Sequence, residues 1–229
     1  MAGAKKNEGS ASPLASLEAP VMGIVSAIPL GQAKIWASAY FNPMAAFEAN
    51  KKQANFTGVA THLCLIGILA WLVAFLSSIL QFSMSAVMAL LFMVIIYPII
   101  VIVGGFLGSG VTYVFAKLFG GKGSYMEQTL AFALITGGAT LLGAPFNVLA
   151  AIPLIGFLFS LVVILINIYN IYNMYVVVKR MHQLSTLRAI LVILIPMLIL
   201  VAVIILFVAM FTAALVGSGL VASNAMGGY

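Results

Sequence analysis

Charged side chains are scarce in this chain of 229 residues, since only 6% of them are Asp, Glu, Lys or Arg. A soluble domain of ordinary composition carries about a quarter. Three long stretches, residues 56–116, 128–178 and 189–229, contain no charged residue at all. Because hydrophobic residues make up 64% of the sequence, the composition excludes an ordinary soluble protein and indicates a chain that lies in lipid.

Cysteine, histidine and acidic residues are also few. Cys64 is the single cysteine, so the chain can form no intramolecular disulfide. Glu127 is the only acidic residue beyond position 48, and the two histidines, His62 and His182, lack the spacing of a metal site. Ser109 lies between glycines without an assignable partner histidine. We therefore predict no catalytic, metal-binding or cofactor-binding residue, and no cofactor.

Apolar runs of membrane-spanning length are present instead. A helix needs about 20 apolar residues to cross the hydrocarbon core, where it satisfies its own backbone hydrogen bonds. Five runs meet this requirement: Gly58–Leu80, Ala86–Val111 with a possible extension to Phe115, Tyr125–Leu149, Ile152–Val178 and Ala189–Val216. Pro98, Pro145 and Pro196 lie inside these runs and are predicted to kink the helices. The sequence thus predicts an all-α polytopic protein, whose five-helix membrane domain covers residues 57–216.

All ten Lys and Arg residues fall in three places along this pattern. Five precede the first span: Lys5, Lys6, Lys34, Lys51 and Lys52. Two lie between the second and third spans, Lys117 and Lys122, and three lie between the fourth and fifth spans, Lys179, Arg180 and Arg188. Cations near span ends are retained in the cytoplasm. With five spans, we predict a cytoplasmic N-terminus and an outside C-terminus, where residues 217–229 form a short uncharged tail. This topology, rather than nucleic-acid binding, explains the net charge of +6.

The residues before the first span divide into two predicted segments. Residues 1–30 have too little apolar surface to order themselves, which predicts a mobile cytoplasmic tail; a cleaved signal peptide is the alternative. Residues 31–56 are predicted to form an amphipathic interfacial segment, in which Asn42 and Pro43 start a short surface helix. Trp36, Tyr40 and Phe47 recur on one helical face, which predicts anchoring at the lipid headgroups or docking of a partner.

The connection between the second and third spans is rich in glycine, with Gly120, Gly121 and Gly123. A glycine-rich loop before a helix can bind phosphate, but this one lacks the spacing and the Lys-Ser/Thr pair of a nucleotide-binding loop. Ser124 and Glu127 have the spacing of a capping box just before an apolar run. We expect the hydroxyl to accept from the helix start and the carboxylate to reach back, so Glu127 is predicted to be structural.

Asparagine side chains recur inside the third and fourth spans. Asn167, Asn170 and Asn173 are three residues apart, which keeps them along one slowly turning stripe of the fourth span. Amide side chains in lipid bind across helices, so helix pairing is the favoured interpretation. In the alternative interpretation, Asn147, Asn167 and Asn170 line a polar cavity that recognises or passes a substrate.

Several short motifs occur together in an order that is informative. The first motif is GGKGSYMEQTL at residues 120–130, which includes Tyr125, and the second is GAPF at residues 143–146, which includes Pro145. The segment from Tyr169 to Tyr175 comes next, and the last motif is HQLSTLRA at residues 182–189. An Asn-Pro element at positions 42–43 precedes the first span. These motifs and the five-span layout resemble the Yip1 domain family, especially its prokaryotic members, over about residues 40–216.

The resemblance implies a five-span membrane protein, and the prokaryotic relatives have no settled activity. Eukaryotic relatives are similar to vesicle-traffic adaptors that bind small GTPases, but the tail features that support GTPase binding are not recognisable here, so that partner is not transferred. Residues 135–138 also replace a tyrosine that relatives often carry before Pro145.

We expect a membrane scaffold or adaptor that acts through helix association and a basic cytoplasmic face. Its expected partners are membrane lipids and other membrane proteins or a second copy of the chain, in a prokaryotic cell membrane. The alternative is a small permease or channel subunit that uses the asparagine-lined cavity.

Overall fold

The computed structural model describes residues 30–226 of the chain, and side chains as far as residue 213. The described residues form α-helices and one 3-10 turn, with no strand among them. The helices are α1 (Leu30–Phe41), α2 (Pro43–Asn50), α3 (Phe56–Leu80), α4 (Met84–Phe92), α5 (Ile96–Leu118), α6 (Tyr125–Ala150), α7 (Gly156–Met181) and α8 (Thr186–Met226), and the 3-10 turn is Lys51–Gln53. The predicted N-terminal tail lies outside the described residues, except for Leu30, where α1 begins.

Five helices in the described part of the chain are long and apolar enough to cross a membrane. They are α3, α5, α6, α7 and the Thr186–Ala213 part of α8. The predicted all-α fold with five membrane-spanning helices is therefore confirmed. The bounds of α3, α6 and α7 agree with the predicted runs to within a few residues, because the length of each run is set by the thickness of the membrane.

The bounds of the second predicted span, residues 86–111, are wrong. The chain there forms α4 and α5, which are separated by a turn at residues 93–95. Pro98 lies in the first turn of α5 and has no N–H to donate to the carbonyl of Val94, and its ring would crowd that carbonyl in a continuous helix. The apolar run is therefore interrupted before Pro98, and the helix of spanning length continues to Leu118.

The last helix is longer than the fifth predicted span. α8 continues to Met226, ten residues beyond the predicted end at Val216, so the predicted tail of residues 217–229 begins inside this helix. Glycines at positions 217 and 219 lower helix propensity without forbidding helical dihedral angles, and no proline follows them. Residues 227–229 lie outside the described residues.

The central helix of the bundle is α6, which contacts α1, α2, α3, α5 and α7. In its most apolar 18-residue window 61% of the residues are buried, against 11–17% in the other candidate spans. Small side chains explain this position, because they let neighbouring helices approach closely. Those that are buried on α6 include Ala131, Ala133, Gly137, Gly138, Ala139 and Gly143.

Helix α1 packs into a groove on α6. A Cβ atom at Gly137 would lie 2.6 Å from the Trp36 ring, and one at Gly138 would collide with the Trp36 backbone. Trp36 and Tyr40 are each 4% exposed and Phe47 is 2% exposed. The prediction that these three side chains anchor at lipid headgroups is therefore wrong, since the groove opened by the two glycines buries aromatic rings inside the protein.

The predicted helix start at Asn42 and Pro43 is confirmed. The side-chain oxygen of Asn42 accepts from the N–H of Ala45 at 3.4 Å, and Pro43 occupies the first helical position. Asn55 caps α3 in the same way, accepting from the N–H of Gly58 at 2.9 Å. Asn42 thus starts α2 directly after α1, and Asn55 starts the first spanning helix directly after the 3-10 turn.

Three connections, residues 51–55, 119–124 and 182–185, meet at one end of the bundle. The N–H of Lys122 donates to the carbonyl oxygen of His182 at 3.2 Å, and Lys51 Nζ lies 3.4 Å from Glu127 Oε1. This end is named the basic end after its cations, Lys51, Lys52, Lys117, Lys122, Lys179, Arg180 and Arg188. Connections 81–83 and 151–155, at the other end, carry no charged residue.

Candidate functional site

The glycine-rich connection at the basic end begins by terminating α5. Gly120 has a φ of 86°, in the left-handed region that glycine adopts without strain. The N–H of Gly121 donates to the Ala116 oxygen at 2.8 Å, and the N–H of Gly120 donates to the Lys117 oxygen at 2.9 Å. This is the hydrogen-bond pattern of a Schellman C-cap, so the end of α5 requires Gly120.

Gly121 and Gly123 form a seat for the ring of His182. A Cβ atom at Gly121 would lie 2.6 Å from His182 Nδ1, and one at Gly123 would lie 3.0 Å from Nε2 of the same ring. His182 is 0% exposed, and the N–H of Lys122 donates to its carbonyl oxygen. We name Gly121, Gly123 and His182 the histidine seat. The connection therefore closes over an imidazole, where a phosphate-binding loop would leave its amides open.

A chain of buried polar side chains holds His182. Its Nε2 lies 2.7 Å from Oε1 of Gln128, and Nε2 of Gln128 donates to the backbone oxygen of Ser109 at 3.0 Å. Because the amide nitrogen of Gln128 is committed to that carbonyl, Nε2 of His182 carries the proton and donates. The Ser109 hydroxyl lies 2.8 Å from the Thr129 hydroxyl. The network thus ties α5, α6 and the connection after α7 together.

The other ring nitrogen of His182 is unprotonated. Nδ1 is buried and has no hydrogen-bond partner among the described residues. Burial, and to a smaller extent the positive charge of Lys117, lower the pKa of His182 from its ordinary value of 6.5. The ring is therefore neutral at pH 7, and its protonation would place a buried charge near Lys117.

The capping box predicted at Ser124 and Glu127 forms in one half only. Oγ of Ser124 accepts from the N–H of Glu127 at 3.4 Å, which confirms the helix start. The carboxylate of Glu127 does not reach back; it pairs with Lys51, because the 3-10 turn brings that cation close. Tyr125 donates its hydroxyl to the Phe106 oxygen at 2.8 Å and so fixes the start of α6 against α5.

A second buried histidine holds α1 against α3. The indole N–H of Trp36 donates to Nδ1 of His62 at 3.1 Å, so that nitrogen carries no proton. The amide of Gln32 approaches the same nitrogen at 2.7 Å, and Nε2 of His62 donates to Oε1 of Gln53 at 2.6 Å. His62 therefore joins α1, α3 and the 3-10 turn beside the basic end.

The predicted asparagines are placed in two different environments. Asn173 is 1% exposed and donates to the backbone oxygen of Tyr40 at 2.7 Å, a carbonyl at the end of α1 that its own helix cannot satisfy. This side chain pairs α7 with α1. Asn147, Asn167 and Asn170 lie together around a different feature, a polar cavity.

The polar cavity has a volume of about 380 Å³ and lies between α3, α5, α6 and α7. Its hydrogen-bonding side chains are Asn147, Asn167, Asn170, Ser77, Tyr97, Thr136 and Thr140, and none of its lining residues is charged. The lining begins at Ala70 on α3 and at Thr136 on α6, and it stops at Asn170 on α7. The cavity therefore occupies the half of the bundle away from the basic end. Pro145, beside it on α6, is exposed.

Apolar packing lies between the polar cavity and the basic end. Buried apolar side chains of α3, α6 and α7 fill the intervening level: Leu63, Ile66, Leu134 and Val177 are each at most 5% exposed. Asn147 and Asn167 are exposed and mark the open side of the cavity. A pocket with one open side and a few converging polar groups is suited to binding.

Neither histidine network follows from the sequence motifs alone. His62 and His182 have no metal-site spacing, and their neighbours in sequence do not reveal their partners. The signal that points to both networks is a glutamine near the same end of the bundle, Gln53 for the first and Gln128 for the second. An uncharged amide can satisfy a buried neutral imidazole without placing a charge in lipid.

Comparison with known proteins gives one match. The Yip1 domain model matches residues 37–209, about three quarters of the chain. The matched region begins inside α1 and ends inside α8, so it includes the histidine seat and the polar cavity. No curated protein and no solved structure matches the chain.

Proposed function

The chain belongs to the Yip1 domain family, and from this membership we propose that it is a non-enzymatic integral membrane scaffold or adaptor. It acts through helix association in the bilayer and through the basic end, which faces the cytoplasm. Its N-terminus is cytoplasmic and its C-terminus lies outside a prokaryotic cell membrane. Its partners are membrane lipids and other membrane proteins or a second copy of the chain.

The observation that carries this proposal is the hydrogen-bonded frame of the basic end. Hydrogen bonds from His182 to Gln128 and from Lys122 to His182 hold connections that are far apart in sequence. Seven cations belong to this frame, and Glu127 neutralises one of them, Lys51. Each cation near an anionic surface contributes about 1 kcal/mol, and a preorganised positive surface favours docking of acidic partners.

The buried histidines support a role without catalysis. His62 and His182 each commit Nε2 to a glutamine amide, and neither contacts a carboxylate or a nucleophile in the described part of the chain. Ser109 bonds to Thr129 and Gln128 instead of a histidine. A general base must reach the proton that it abstracts, which these buried rings do not.

A charge-reversal experiment tests the docking role. Membrane proteins crosslinked to the full chain are captured for a triple variant, Lys52→Glu, Lys122→Glu and Arg180→Glu. The three native side chains make no ion pair with another residue in the described part of the chain. The matched control keeps the charge with Lys52→Arg, Lys122→Arg and Arg180→Lys. We expect a defined partner to be recovered with the control and to fall by about tenfold or more with the reversal. Equal recovery with both variants would contradict the role.

A small permease is the second candidate, favoured by the three asparagines that share the polar cavity. A flux assay in liposomes separates the two functions. Solute flux that disappears with Asn147→Leu or Asn167→Leu would favour the permease and oppose the scaffold, while partner recovery without flux would favour the scaffold.

A further inference from the structure

The polar cavity presents more hydrogen-bond acceptors than the protein satisfies. Asn147 donates its amide to the Gly143 oxygen at 3.0 Å, and Asn167 donates to the Val163 oxygen at 2.9 Å. One N–H of each amide is thereby committed to the helix backbone, and neither side-chain oxygen accepts a hydrogen bond from a described residue. The oxygen of Asn170 is buried and has no partner among the described residues. Three asparagine oxygens without a donor among the described residues therefore line one cavity.

The ligand that fits these acceptors carries neutral hydroxyl groups. A bound cation is disfavoured because no lining residue carries a carboxylate to neutralise it. A bound anion is disfavoured because it would meet three carbonyl oxygens and no cationic side chain. A hydroxyl donates to an asparagine oxygen without carrying a charge into the bilayer. Thr136, Thr140 and Tyr97 add hydroxyls that can accept from the ligand or donate to it.

Size and position define the ligand further. A volume of about 380 Å³ has room for a small polyol but is too small for a macromolecule. Asn167 is exposed and lies eleven residues beyond Gly156, about 16 Å along the axis of α7. Since the hydrocarbon core is about 30 Å thick, the open side of the cavity faces the bilayer interior.

We propose that the polar cavity binds a neutral polyhydroxyl group such as glycerol, either free or carried by an acyl chain. The oxygens of Asn147, Asn167 and Asn170 accept from its hydroxyls. This site is separate from the basic end and does not depend on the scaffold role.

Matched small molecules test this site and identify the source of the hydroxyl group. Thermal unfolding of the purified full chain in detergent is followed while glycerol, monooctanoylglycerol or methyl octanoate is added. The last compound has the same acyl chain and ester without free hydroxyls. We expect a saturable rise in Tm with monooctanoylglycerol and none with methyl octanoate. A further saturable rise with glycerol would identify the free polyol as a sufficient ligand.

Variants then assign the binding to the cavity. Asn170→Leu is expected to weaken binding by about tenfold, because it removes one acceptor of the ligand. Thr140→Val, which keeps the side-chain shape, is expected to weaken it by about threefold. Ser160→Ala is the control, since that hydroxyl donates to Gly156 on the same helix outside the cavity. Absence of a saturable shift, an equal shift with methyl octanoate, or unchanged affinity in both cavity variants would overturn the proposal.

Discussion

Nε2 of His182 lies 2.7 Å from Oε1 of Gln128, although 54 residues separate the two positions in the chain. This contact fixes the connection after α7 to the start of the central helix. It also explains why glycines precede α6, because any side chain at Gly121 or Gly123 would enter the space of the imidazole. Gly121 and Gly123 thus make room for the histidine, whereas Gly120 ends α5.

Gly121→Ala is expected to destabilise the protein. Its Cβ would meet the ring of His182 and the Ala116 oxygen, and the second of these is backbone that cannot move freely. Overpacking of this kind costs about 2 kcal/mol, or about 6 °C in Tm for a chain of this size. Thermal unfolding in detergent measures the change. Gly104→Ala is the control, since open space surrounds that position and its Tm should stay equal or rise slightly.

The stability of the protein is expected to fall as the pH falls below 6.5. Because the pKa of His182 is lower in the folded chain, the unfolded chain binds more protons below its ordinary value of 6.5, and acid favours unfolding. His182→Gln keeps an amide N–H that can donate to Gln128 and removes the titration. Tm measured between pH 7.5 and pH 5 should therefore decrease less for this variant. Parallel curves for the two proteins would show that another group causes the decrease.

Asn173→Leu is expected to loosen α1. It leaves the Tyr40 carbonyl without a donor, which costs about 1–3 kcal/mol for a buried group. Limited proteolysis at the α1–α2 junction, together with Tm, reports this loss. Asn167→Leu is the matched control, because the amide of Asn167 donates only within its own helix. Its free energy of unfolding should change by less than about 1 kcal/mol. Equal losses in both variants would contradict the assigned role of Asn173.

Gln183→Gly is expected to stabilise the basic end. Gln183 has a φ of 54° directly after α7, where the N–H of Leu184 donates to the Lys179 oxygen at 3.0 Å. Glycine adopts this conformation without strain, which is worth about 1 kcal/mol. Chemical or thermal unfolding should show the gain for Gln183→Gly and no gain for Gln183→Ala, which keeps the strain. A gain with alanine would exclude the backbone explanation.

The length of the apolar runs is enough to predict α3, α6 and α7, and local chemistry is enough to predict the caps at Asn42 and Ser124. The break before α5 is less visible, because residues 93–95 are as apolar as their neighbours and Pro98 alone marks the interruption. Periodicity and local residue types carry these features, so they do not require knowledge of the tertiary fold.

The position of α1 could not be predicted from its own residues. Trp36 and Tyr40 have the spacing of an interfacial anchor, and the same spacing also fits a groove between helices. The groove is made by Gly137 and Gly138, about a hundred residues later in the chain. The histidine networks present the same difficulty, since Gln128 and His182 meet only after α6 and α7 have packed.

The proposed function depends most on which side of the membrane the basic end faces. Cys64→Ala provides a cysteine-free chain, into which Phe82→Cys or Ser185→Cys is introduced at exposed positions on opposite ends. A membrane-impermeant maleimide is then applied to intact and to permeabilised cells. We expect labelling of the Phe82→Cys protein in intact cells and of the Ser185→Cys protein only after permeabilisation. Labelling of the Ser185→Cys protein in intact cells would place the basic end outside and contradict the account.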